Sequence, residues 1–139
     1  MSDLEVLAKT IYGEARGEGQ KGMEAVACVI MNRVKAQQWF TGYVIVQGHK
    51  IPSICETCLK RLQFSCWNKS DPNYEKLQKL NVSDQLYVQC LEIAQRAISG
   101  HLQDFTNGAV YYHTKQIEPL WAKEKTPCYV LKNHIFYQY

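Results

Sequence analysis

Thr10-Ile11-Tyr12-Gly13-Glu14-Ala15-Arg16-Gly17-Glu18-Gly19-Gln20 is the stretch on which the reading of this chain turns. It closes an amphipathic run in which Leu4, Leu7, Ala8, Ile11, Tyr12 and Ala15 recur at helical spacing, behind a Ser2 or Asp3 that can cap the helix. Gly17 and Gly19 then end that helix. At about 100° per residue, Glu14 falls at the edge of the apolar stripe on the Leu7 side, not on the face opposite it. A carboxyl against apolar neighbours such as Leu7, Ile11 and Tyr12, where a helix gives out, can hold its proton to higher pH and protonate a leaving oxygen. Glu18 lies past Gly17, in a loop or at the start of the next helix. On an unbroken helix the two carboxylates would share a face, but Gly17 interrupts it. Spacing alone is equally compatible with two solvated charges, since charged residues mostly lie on the surface.

Working outward, Lys21 to Ala36 is apolar nearly all round at Val26-Ala27-Cys28-Val29-Ile30-Met31, which predicts a helix buried on most faces. Asn32 and Arg33 end its buried part, Asn32 with a hydrogen-bonding structural role. From Trp39 to Arg61 the chain is punctuated by Gly42, Gly48 and Pro52. Val44-Ile45-Val46 reads as a short strand or core loop, and Pro52 to Lys60 as a short helix. Gln63-Phe64-Ser65-Cys66-Trp67 alternates polar and aromatic groups, as a cleft-lining strand or loop would, or a plain hydrophobic plug. Asn68 to Asn73 reads as a polar turn. Ser83 or Asp84 caps a third helix with Leu86, Val88, Leu91, Ala94, Ala97 and Ile98 inside, stopped by Gly100. Ala109 to His113 reads as a strand. Cys128–Leu131 and His134–Tyr137 read as a hairpin turning at Lys132-Asn133, where Asn tolerates positive φ. Helices first and strands last predict an α+β domain with two lobes.

The chain has 139 residues, 46% hydrophobic and 21% charged, which fits one domain with a sizeable core, taken here as residues 1–139. A net charge of +3 favours approach to an anionic polymer. No Lys/Arg cluster is dense enough to track nucleic acid. No basic n-region or apolar h-region opens the chain, and the run Ala25–Met31 is too short to span a bilayer. The expectation is a protein made in the cytoplasm with no visible signal peptide, without stable membrane association, and monomeric. Of six cysteines, Cys28 and Cys90 sit in helical patterns as buried free thiols. Cys55-x-x-Cys58 with Cys66 invites a zinc reading but lacks a fourth ligand at matching spacing, so no metal and no cofactor is expected. A thiol nucleophile, Cys66 or Cys128 with His113 or His134, is a minor alternative.

Three stretches together resemble one family: Thr10 to Glu18, Gln63 to Trp67, and Tyr112-His113-Thr114 through Pro119, Trp121-Ala122 and Asn133-His134-x-Phe136-Tyr137. The chain is similar over nearly its whole length to the catalytic domain of the SleB-type cell wall hydrolases, the group that includes the spore-cortex lytic enzymes. The resemblance implies a lysozyme-like, two-lobed α+β domain flanking a glycan groove, with a small antiparallel sheet towards the C-terminus. It implies cleavage of peptidoglycan glycan strands, with Glu14 as the catalytic acid. Glu18, Gln63, Ser65, Tyr112 and His113 fall at motif positions that resemble cleft residues, and Trp67 and Trp121 are candidates to stack on sugars. With one acid in view, a lytic transglycosylase is expected, Glu14 acting as acid and then base to leave a 1,6-anhydromuramoyl end. The alternatives are a muramidase, an amidase or a non-catalytic glycan-binding domain. Such an enzyme would act on the wall after release, like a phage lysin, or be excised from an exported precursor. On the Tyr112-His113 strand the two side chains point to opposite faces.

Overall fold

The computed structural model describes all residues, Met1–Tyr139. Its elements follow in order as α1 (Asp3–Ala15), α2 (Gly19–Ala36), β1 (Tyr43–Val46), β2 (His49–Pro52), α3 (Ile54–Leu59), a 3-10 turn (Ser65–Trp67), α4 (Pro72–Gln78), α5 (Gln85–Ile98), β3 (Tyr111–Thr114), a second 3-10 turn (Leu120–Ala122), β4 (Tyr129–Leu131) and β5 (His134–Tyr137). The fold is α+β, with helices through the first two thirds and an antiparallel sheet of order β3-β5-β4 at the end.

Helix α1 starts where Ser2 Oγ accepts from the Glu5 amide at 3.2 Å. Its packing partners are chiefly α5 and α2. Val6, Leu7, Ile11, Met23, Ile30, Leu77 and Ile93 are fully buried in the main core. Helix α2 is the partition of the molecule. Met23, Val26, Ala27 and Ile30 face that helical core, whereas Ala25 and Val29 pack with Ala109 and Phe136 under the sheet. A helix sandwiched in this way has no polar face to spare, which explains its nearly uniform apolar run. It begins two residues earlier than predicted, at Gly19, whose φ of +77° is open to glycine.

In α5 the buried stripe is Tyr87, Cys90, Ile93, Ala94 and Ala97. The stripe drawn from sequence is turned from this one, since Leu86 and Ile98 lie exposed at the rim. Asp84, not Ser83, is the cap, accepting from the Leu86 and Tyr87 amides at 3.0 and 3.2 Å. Helix α4 starts inside the predicted polar turn, at Pro72, and runs on to Gln78. Asp71 caps it, accepting from the Asn73 amide at 2.8 Å, and Pro72 takes the first helical position, where a missing N–H costs nothing.

Strands β1 and β2 form a separate antiparallel hairpin turning at Gln47-Gly48. Val44, Ile45 and Val46 are exposed on it, so this run is a surface strand and not a core loop. Strands β4 and β5 form the predicted hairpin, but Lys132 (φ 50°) takes the left-handed position expected of Asn133. The six cysteines are free, with Cys28 and Cys90 buried.

Candidate active site

The Thr10–Glu18 stretch ties five remote segments to one helix end. Thr10 Oγ1 donates to the Val6 carbonyl at 2.7 Å and accepts from Trp67 Nε1 at 2.9 Å. The Tyr12 hydroxyl donates to Asp84 at 2.8 Å, joining the end of α1 to the cap of α5. Gly13 lies where a Cβ would meet Cys66 Cβ at 2.7 Å. The 3-10 turn can seat on α1 only because this residue has no side chain. Arg16 Nη2 donates to Asn73 Oδ1 at 2.8 Å. Glu14 receives the Tyr112 hydroxyl at 2.6 Å, and Glu18 faces His134 at 4.0 Å.

Glu14 is half-buried. Its Oε1 accepts from Tyr112, while Oε2 has no protein partner. Since no buried side-chain oxygen of the protein lacks a partner, Oε2 opens to solvent. Burial pushes the Glu14 carboxyl above the usual carboxylate range, against the opposing pull of the Tyr112 hydrogen bond and the Arg33 charge. Burial and the adjacent Glu14 also push the Tyr112 phenol well above its ordinary value, so Tyr112 is a donor throughout.

Beside Tyr112 lies an open cleft of about 470 Å3. Arg33 and Gln63 line it with Tyr112, and Trp39, Tyr111 and Trp121 supply aromatic walls. Arg33, at the end of α2, is 6% exposed. Its Nε donates to the Val110 carbonyl at 2.7 Å and its Nη1 to Gln63 Oε1 at 3.3 Å. The guanidinium carbon lies 5.1 Å from the Phe64 ring centre and 5.6 Å from that of Phe40.

Of the residues singled out in the sequence, Gln63, Tyr112 and Trp121 meet at this cleft, and Glu14 joins it through Tyr112. Trp121 is 42% exposed, with its ring centre 5.2 Å from that of Tyr111. Ser65 is exposed on the first 3-10 turn, and Trp67 packs against the helical core, fastened to Thr10. His113 takes the face opposite Tyr112, stacked on Tyr137 with its Nε2 2.7 Å from the Tyr137 hydroxyl. Glu18 caps no amide; it sits at the N-cap of α2, its Cβ 2.5 Å from where a Cβ on Gly22 would be. Burial lowers the His134 pKa, and Glu18 pulls it the other way.

Arg33 and Trp39 are cleft residues that the sequence did not reveal. A charged side chain at the buried end of a helix was the available signal for Arg33. Asn32 has the structural role expected of it, donating to the Ala109 carbonyl at 3.0 Å and to Asp104 at 3.2 Å. Burial raises Cys58 to about 12 and pushes Cys66 up as well, away from thiolate chemistry. No three His, Cys, Asp or Glu side chains are grouped as a metal site.

The family model described as Cell Wall Hydrolase matches residues 17–137, starting just after Glu14. The spore cortex-lytic enzyme of Halalkalibacterium halodurans is 32% identical over 114 residues, 80% of this chain and 27% of that protein. That of Bacillus subtilis is 49% identical over 35 residues, 25% of this chain and 12% of that protein. The chain thus spans about a quarter or less of these relatives. In structure it is similar to the catalytic domain of the SleB protein of Bacillus cereus, with a TM-score of 0.69 and 23% identity over 98% of this chain and 89% of that one. The catalytic domain of the germination-specific lytic transglycosylase SleB of Bacillus anthracis gives a TM-score of 0.65 and 22% identity, covering 98% and 93%.

Proposed function

The chain belongs to the cell wall hydrolase family, and from that premise we propose that it cleaves the glycan strands of peptidoglycan as a lytic transglycosylase with Glu14 as acid and then base. The observation that carries the reading is the state of Glu14. One carboxyl oxygen is held by Tyr112, the other is open, and burial keeps the proton on to higher pH than an ordinary carboxylate would. The protonated carboxyl gives its proton to the glycosidic oxygen as the bond to C1 breaks. The resulting carboxylate takes the proton of the muramoyl C6 hydroxyl, and O6 closes on C1 to form the 1,6-anhydro ring. Tyr112 donates to the carboxylate in the second step and keeps it aimed while it is charged.

A hydrolase needs a second carboxylate, as nucleophile or as base for water. Glu18 is turned onto His134, beyond the break between α1 and α2, which favours the route that needs one acid. Trp39, Tyr111 and Trp121 offer apolar ring faces to sugars, and Gln63 and Tyr112 offer polar groups to the acetamido substituent.

Mass analysis of products from purified sacculi tests this. Muropeptides with anhydro ends, lighter than the hydrolytic product by one water, are expected from the wild type and not from Glu14→Gln. Reducing muramoyl ends would assign the reaction to water and free stem peptides to an amidase. Binding to sacculi without turnover would leave a glycan-binding domain.

A further inference from the structure

Arg33 makes no ion pair in the protein; Glu14 acts on it through its charge alone, without contact. The ion pairs of the structure join Lys9 with Glu5 and Arg96 with Glu24, and none includes Arg33. Yet Arg33 is 94% removed from solvent (6% exposed), and a buried guanidinium without a counter-anion is costly unless something answers it. Two of its nitrogens are used, Nε on the Val110 carbonyl and Nη1 on Gln63 Oε1. Nη2 has no partner in the protein. No buried side-chain nitrogen is left unsatisfied, so the residual exposure of Arg33 includes Nη2, and the side chain lines the cleft. The guanidinium carbon lies over the Phe40 and Phe64 rings, within cation–π range of both. The protein thus presents a largely buried side chain with a net charge and a free donor to whatever fills the cleft.

An acetamido carbonyl is neutral and can be matched by neutral donors such as Gln63 and Tyr112. A charged, pre-oriented guanidinium is matched best by a carboxylate. In a peptidoglycan glycan that group is the lactyl arm of a muramoyl sugar whose stem peptide has been removed. We propose that Arg33 is a substrate-binding residue whose Nη2 donates to the lactyl carboxylate of such a muramoyl unit, and so selects peptide-free muramoyl glycans over plain N-acetylglucosamine polymers. This inference rests on the glycan-cleaving reading of the same cleft.

Calorimetry in the Glu14→Gln background, where ligand stays uncut, tests it with two probes of equal length. One is a glycan oligomer stripped of its stem peptides, so that its lactyl carboxylates are free. The other is a chitooligosaccharide, which has acetamido groups and no lactyl arm. With Arg33 intact the muramoyl oligomer binds about tenfold or more tighter, the scale of one hydrogen bond to a charged group, and the gap narrows at high salt. Adding Arg33→Gln weakens the muramoyl oligomer by a much larger factor than the chitooligosaccharide and so removes most of the gap; Arg33→Lys keeps part of it. Equal affinity for the two probes with Arg33 intact overturns the proposal, and needs no Arg33 variant to fold. A parallel loss for both probes in Arg33→Gln assigns the residue a structural role and also overturns it. If neither oligomer binds, the glycan-cleaving reading itself falls.

Discussion

The last turn of α1 and the first turn of α2 each carry a glutamate, four positions apart, and their surroundings differ in kind. Glu14 is held on a continuous helix, with Gly13 letting the 3-10 turn close in beside it and Tyr112 donating to one oxygen. Burial dominates its electrostatics. Glu18 stands at a helix start with no capping bond, folded over Gly22 and facing a histidine at 4.0 Å. Two carboxylates in one short motif therefore do not share one environment. What separates them is which distant segment each one meets.

The widest gap between the two turns is expected in rate. Glu14→Gln lowers release of soluble muropeptides from sacculi by roughly 10^2–10^4, the scale of general acid catalysis, with the near-ultraviolet circular dichroism unchanged. Retention of more than a tenth of the activity would break the distinction. Next is the fit of the α1 turn. In Gly13→Ala the new methyl meets Cys66 Cβ at 2.7 Å, and thermal unfolding should show a loss of about 1–3 kcal/mol, as overpacking does. Gly17→Ala has nothing within 4 Å of its new methyl and should gain about 0.4–1 kcal/mol through the unfolded chain.

The third contrast is in pH. The Tyr112 hydrogen bond lowers the Glu14 pKa, against burial. Tyr112→Phe removes it, so the carboxyl keeps its proton to still higher pH. The alkaline limb of the activity profile moves up, while activity at the optimum drops about tenfold, the scale of one charge-assisted hydrogen bond. A limb that moved down would contradict the assigned acid. The same group leaves a mark on stability. Its folded pKa is raised, so the fold binds more protons than the unfolded chain between the ordinary carboxylate value and the raised one. Its contribution to stability is present below that window and lost as pH rises through it. The stabilisation of Glu14→Gln relative to wild type, read from melting temperatures, therefore grows from acid to neutral pH. The smallest effect is expected at the other turn. Glu18→Gln should change activity by at most about fivefold, since even a charged pair at a half-exposed position is worth ~1 kcal/mol or less.

Much of the architecture could be read from local pattern. The helical period of α1, the all-round apolar run of α2 and the alternation before Tyr137 are each set by neighbours along the chain. Helix α4 was hidden by its polarity, although Asp71-Pro72 is a start signal. The α5 stripe was misplaced because a longer list of apolar residues, Leu86 and Ile98 included, fitted the same period. The site was less legible. Alternation set Tyr112 and His113 on opposite faces but could not say which faced Glu14. Only the sheet's seating on α2 decides that, through Val29 and Phe136. Arg33 looked like the end of a buried helix, and its meaning comes from Gln63 and Val110, which are remote in sequence.

The bonds radiating from one helix end have a consequence in time. Tyr12 waits for Asp84, 72 residues later, and Glu14 for Tyr112, 98 residues later. Helix α1 can form early from its own sequence, but its acid acquires a partner only when β3 has docked. Contacts of such long range are the slow part of folding. In a refolding experiment, catalytic activity should return with the slowest phase, after helical signal has recovered, because a chain with every helix in place still lacks the bond that aims Glu14.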